Sequence, residues 1–152
     1  YGLISHTRRG QKALAYGCIR PPSKATAPEK YRVIFESLET LIEKHRPDVL
    51  SVETQFTYKN AQSAMKIGMA RGMALLATAR RGLPIYEYAP KKAKLAITGY
   101  GSSSKEQMQK MIQLLLQLPT PPEPADAADA LALALCHANT LRQSPLNERR
   151  TI

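Results

Sequence analysis

At 152 residues the chain has the size of a single domain and can bury about 70% of the surface its unfolded form would expose. A hydrophobic fraction of 43% beside 22% charged residues excludes an intrinsically disordered chain, and no apolar run is long enough to span a bilayer. Lys and Arg number 22 against 12 Asp and Glu, for a net charge of +10, so a polyanionic partner is expected: nucleic acid or an anionic membrane surface.

The charge is unevenly spread. Between Thr54 and Lys110 ten basic residues stand against only Glu87 and Glu106, which concentrates the excess where a phosphate-binding surface could be built. The basic residues do not line one amphipathic helix opposite large apolar side chains, so the membrane reading is poorly supported. Cys18 and Cys136 have neither metal-ligand spacing nor a disulfide framework around them, and reduced thiols in a cytoplasmic protein are expected.

In chain order, Tyr1–Ser5 and Ala13–Ile19 read as two strands joined by the polar turn His6–Gly10, an antiparallel hairpin. Pro21 and Pro22 end it. Thr26 and Glu29 form a capping box that opens a helix to about His45, with Ile34, Leu38, Leu41 and Ile42 on one face. Pro47 breaks that helix, and Val49–Val52 follows as a short apolar strand ending at Glu53. Asn60 can cap the next helix, which runs to about Arg81 and carries Ala64, Gly68 and Gly72 at intervals of four. Such a stripe of small residues admits a second backbone, either the chain's own sheet or a helix of another subunit.

Leu83–Tyr88 reads as a further strand, and Lys91–Ile97 as a short basic helix before the Gly99–Ser104 loop. Ser103 and Glu106 match a second capping box, for a helix to about Leu118 with Met108, Ile112 and Leu115 inward. Pro119–Pro124 is a rigid connector. A last helix runs from Ala125 to about Arg142, leaving residues 144–152 as a polar tail behind one domain spanning 1–143. The order of elements is that of an α/β protein.

Three acids carry the candidate chemistry. Glu53 stands at the carboxyl end of a strand, where open α/β sheets bind ligands, although an ordinary solvated strand end would look the same. Asp126 and Asp129 are three apart on one helix face. The partial positive charge of a helix N-terminus accounts for Asp126, but less well for Asp129, which lies deeper among Ala and Leu. Two crowded carboxylates repel unless a hard cation such as Mg²⁺ sits between them, and paired ions of that kind can drive phosphodiester hydrolysis.

The segments Val52–Phe56, Lys59–Ser63, Ala70–Gly72, Tyr86–Pro90 and Ala125–Ala130, in this order and over nearly the whole chain, resemble the RuvC family of Holliday junction resolvases. The resemblance implies a ribonuclease H-like mixed sheet flanked by helices, a homodimer, and Mg²⁺-dependent nicking of two opposed strands at four-way junction DNA, with Mn²⁺ as a substitute. It implies metal and catalytic roles for Glu53, Asp126 and Asp129, a catalytic role for Lys105 near the scissile phosphate, and DNA contacts from Phe56, Lys59, Lys94 and Lys105. Phe56 would stack on bases opened at the crossover. It also implies a dimer contact along Ala64, Gly68 and Gly72, and a branch-migration motor as a further partner.

The family opens on a strand bearing Gly-Ile-Asp-Pro-Gly, whose Asp is a fourth ligand. The present chain begins just after it, so the first, central strand is expected to be missing and the fragment alone inactive. Two other readings stand beside nicking: a junction-binding protein that does not cut, and a ribonuclease H-like nuclease acting on RNA/DNA hybrids.

Overall fold

The computed structural model describes residues 1–54 and 61–143. Phe56, Lys59, the proposed cap Asn60 and the tail 144–152 lie outside them. The described elements are β1 (Gly2–Thr7), β2 (Gly10–Tyr16), α1 (Ala27–His45), β3 (Leu50–Glu53), α2 (Ala61–Ala79), β4 (Ile85–Tyr88), α3 (Pro90–Thr98), α4 (Lys105–Leu116) and α5 (Ala125–Gln143). They form two two-stranded sheets, β1–β2 and β3–β4. The chain divides into two compact units, one of residues 1–18, 51–53 and 88 onward, the other of 19–50 and 54–87.

The first unit is built on α5. Its inward residues Ala127, Ala128, Leu131, Ala132, Leu135, Cys136 and Ala138 are all buried. Most are small, so neighbours come close to the helix backbone. A Cβ added at Gly2 would lie 2.7 Å from the Leu131 backbone nitrogen, so only glycine lets β1 lie this near α5. The hairpin pairs Gly2 with Tyr16 and Thr7 with Gly10, with a register shift between Leu3 and Ile4. Its turn is tighter than the five residues expected. The Arg9 amide donates to Thr7 Oγ1 at 3.2 Å and Gly10 takes a φ of 137°, so β1 runs on to Thr7 and β2 stops at Tyr16 rather than Ile19.

Helix α4 packs Met108, Ile112 and Leu116 against Ile97 of α3 and Leu131 and Leu135 of α5. Leu115, expected inward, is 45% exposed; the buried row runs at intervals of four and closes on Leu116 instead. The capping box also sits one residue later than expected. Ser104 Oγ accepts from the Gln107 amide at 3.2 Å, and the Ser104 amide donates to Gln107 Oε1 at 2.9 Å. Ser103, freed from capping, is buried.

In the second unit the capping box of α1 is the expected one, with the Thr26 amide and hydroxyl both donating to Glu29 Oε2 at 2.7 Å. Helices α1 and α2 pack together. Ile34, Leu38, Leu41 and Ile42 are only half-buried, whereas Ala77 and Thr78 of α2 are fully enclosed. Arg80 lies over the Phe35 ring, 5.5 Å from its centroid. The Leu50 amide donates to Pro84 O at 2.9 Å.

One buried polar pair ties β4 to α5: Tyr88 Oη lies 2.7 Å from His137 Nδ1. Burial holds the His137 imidazole below its ordinary range. The unfolded chain therefore binds the His137 proton more tightly than the folded chain does. The stability this residue contributes is complete above the ordinary histidine value of about 6.5 and is lost as pH falls through the lower, folded value. Denaturant midpoints recorded between pH 7.5 and pH 5 should fall more steeply for the parent protein than for His137→Gln. Parallel curves for the two proteins would refute this assignment.

Candidate active site

Glu53 is the last residue of β3, and Asp126 and Asp129 occupy successive turns at the start of α5. All three belong to the first unit, as do Lys94 on α3 and Lys105 at the first position of α4. Asp126 faces solvent and Asp129 is half-buried between the enclosed Ala128 and Leu131. The short strand and the tightly packed helix hold these carboxylates on rigid elements.

Desolvation pushes the Glu53 carboxyl above the usual carboxylate range. The nearby charge of Asp129 raises it further, and Lys94 opposes the rise. Asp129 is likewise pushed up, first by burial and then by Asp126, while Lys105 and Lys94 pull it down. Two raised carboxyls within range of two ammonium groups make one electrostatic cluster, in which negative charge is held at a cost. Among the described residues, however, no three His, Cys, Asp or Glu side chains come together tightly enough to hold a metal ion between them. The acids are coupled in pairs, Glu53 to Asp129 and Asp129 to Asp126. Their chemistry fits a hard divalent cation, since every donor is a carboxylate oxygen and a cation would relieve the repulsion that raises them.

Ala64, Gly68 and Gly72 are half-buried on α2, and a Cβ at Gly72 would meet nothing within 4 Å. The space a side chain at Gly72 would take is therefore open. Met65, Met69 and Leu76 of the same helix are exposed. A cleft of about 590 Å³ is lined by Thr98, Tyr100, Ser103, Lys110 and Leu114 among others, and includes none of the three acids. Cys136 is buried, its thiol pushed up by desolvation, and neither it nor Cys18 is in a disulfide. No described helix is long and apolar enough to cross a membrane.

The sequence reading missed a cluster of hydroxyls beside the lysines. Thr98 Oγ1 and Ser103 Oγ are hydrogen-bonded to each other, and Ser103 Oγ donates to Tyr100 O at 2.8 Å. The signal available was a Thr-Gly-Tyr-Gly-Ser-Ser-Ser run with more hydroxyls than one helix cap needs.

The family profile described as crossover junction endodeoxyribonuclease RuvC matches residues 1–137. The chain is 59% identical over 146 residues to the protein of that name from Protochlamydia amoebophila, covering 95% of this chain and 87% of the relative. It is 45% identical over 140 residues to the one from Moorella thermoacetica, covering 91% and 83%. Among solved structures it resembles RuvC of Thermus thermophilus, with a TM-score of 0.83. It also resembles that protein in complex with a Holliday junction substrate, with a TM-score of 0.86. Both matches are at 31% identity and cover 93% of this chain and 87% of the other.

Charge held at a cost has a measurable consequence in the absence of metal. Asp129→Asn should raise the melting temperature of the protein in a chelating buffer, by about 2–4 °C for each kcal/mol of repulsion and desolvation relieved. A lower melting temperature than the parent's would show that the Asp129 charge stabilises the fold.

Proposed function

The chain belongs to the RuvC family of crossover junction endodeoxyribonucleases, and from that membership we propose how its own residues resolve a Holliday junction. The fold is the ribonuclease H-like α/β arrangement of that family. The activity is structure-specific phosphodiester hydrolysis at four-way junctions, in DNA recombination and repair. It depends on a divalent metal.

Glu53, Asp126 and Asp129, which the described residues bring together in pairs, would close on the cation when it binds, and an all-carboxylate donor set suits Mg²⁺, with Mn²⁺ as a substitute. When bound, such a cation activates water and offsets the charge of the phosphodiester. Lys105 opens α4 facing Asp129 and supplies positive charge at the scissile phosphate. Lys94, whose charge lowers both Glu53 and Asp129, would grip the adjoining backbone. Phe56 and Lys59, two and five residues beyond Thr54, would meet the opened bases and the strand entering the site. The observation that carries this reading is the match of residues 1–137 to the crossover junction endodeoxyribonuclease profile, with Glu53, Asp126, Asp129, Lys94 and Lys105 all in the first unit.

A homodimer is the natural form of an enzyme that nicks two opposed strands, since one two-fold axis then presents two sites to a two-fold symmetric substrate. The half-buried Ala64, Gly68 and Gly72 and the exposed Met65 and Met69 support α2 as the contact. Cytoplasmic DNA and its branch-migration motor complete the expected setting.

In the full-length protein with Mg²⁺, Glu53→Gln should lower cleavage of a synthetic four-way junction by at least about 100-fold, the scale on which loss of one group in a catalytic site is felt. Binding of the same junction should stay within a few-fold of the parent's. Unchanged cleavage would remove Glu53 from the chemistry. A parent that binds without cutting would favour a passive junction-binding protein, and faster cleavage of an RNA/DNA hybrid than of the junction would favour a hybrid nuclease. Gly68→Leu should shift sedimentation toward monomer; a dimer undisturbed by the added side chain would move the contact elsewhere.

A further inference from the structure

The loop between α3 and α4 joins the two lysines of the site. It starts at Gly99, whose φ of 77° ends α3, and runs to the cap Ser104, immediately before Lys105. Thr98 Oγ1 lies 2.9 Å from both Lys94 O and Tyr100 O and accepts from the Tyr100 amide at 3.2 Å; its single proton serves one carbonyl at a time. Ser103, only 7% exposed, closes the loop by its hydrogen bonds to Thr98 Oγ1 and Tyr100 O. Its backbone carbonyl then receives the Lys94 ammonium, with Nζ at 3.4 Å. The Lys91 stem folds over Gly101, where an added Cβ would lie 2.9 Å from Lys91 Cγ.

Every one of these contacts is local to the loop, and together they fix both ends of it. The Lys94 ammonium is held by the Ser103 carbonyl, and the hydroxyls of Thr98 and Ser103, bonded to each other, close the loop that places that carbonyl. Lys105 lies two residues after the buried Ser103, beyond the cap Ser104, so its backbone position is set where the loop closes. A lysine side chain carries several rotatable bonds, and an ammonium tied to a carbonyl has fewer places to be than one in free solvent.

We propose that the Thr98–Ser103 hydroxyl pair is a positioning clasp that holds Lys94, and with it the start of α4 bearing Lys105, toward the carboxylates Glu53 and Asp129. In this role Thr98 and Ser103 act through the lysines, as positioning residues. The proposal rests on the nuclease reading given above, and cleavage by the parent protein, measured first, tests that reading separately.

The test uses the full-length protein with Mg²⁺ and a synthetic four-way junction. Thr98→Val keeps the shape of the side chain and removes its hydroxyl; Thr98→Ser keeps the hydroxyl. Single-turnover cleavage at saturating enzyme should fall about 10-fold for Thr98→Val and for Ser103→Ala, with junction affinity within about two-fold of the parent's. Thr98→Ser should restore the parent rate. In a Lys94→Met background, Thr98→Val should cost distinctly less than it does alone, because one lysine no longer needs placing. Should Thr98→Val fail to fold, Ser103→Ala in the same cycle gives the answer. Parent-like rates in the hydroxyl-less variants, or the same fold-loss with and without Lys94, would overturn the clasp.

Discussion

The first unit depends on how closely its neighbours approach α5. Strand β1 reaches the helix backbone because residue 2 has no side chain, and the helix offers Ala127, Ala128 and Ala132 where larger residues would hold neighbours away. Close packing of this kind gains many small dispersion contacts and leaves little room for a volume change on either side. Helices α3 and α4 use the same surface, with Ile97, Met108, Ile112 and Leu116 meeting Leu131 and Leu135. The helix is therefore both the centre of a core and the least movable element of the unit.

That rigidity matters because the same helix carries the acids. Asp126 and Asp129 lie five and two residues before the fully enclosed Leu131, so their backbone positions are set by the core rather than by the charges themselves. Left alone, the carboxylates would turn away from one another and into water. Held by α5, Asp129 remains near Glu53 and is raised by burial and by like charge. Folding energy from the apolar side of the helix sustains an unfavourable charge arrangement on its other side, a usual trade at catalytic sites.

The lysines offset part of that cost without cancelling it. Lys94 lowers both raised acids and Lys105 lowers Asp129, yet both acids still stand above the ordinary range. Carboxylates raised in this way would be relieved by a hard cation, the basis on which the metal role was proposed for them. The hydroxyl network between α3 and α4 belongs to the same design, since a charge acts at a distance that its backbone anchor must specify.

What the sequence determined by itself was whatever depends on spacing within one segment. The Thr26–Glu29 capping box, the helices, the i, i+3 placement of Asp126 and Asp129, the glutamate at a strand end and the concentration of basic charge were legible because helix and strand periods repeat locally. The collinear motifs then carried the family. The tertiary structure decided what depends on segments far apart in the chain. Leu116 rather than Leu115 turns inward because α5 fixes the rotation of α4. Gly2 is required because Leu131 lies behind it. Ser104 rather than Ser103 caps α4, because Ser103 is enclosed and bonded to Thr98. The couplings among Glu53, Asp129, Lys94 and Lys105 likewise arise only when β3, α3, α4 and α5 are brought together, and no periodicity within one of them records the approach of another.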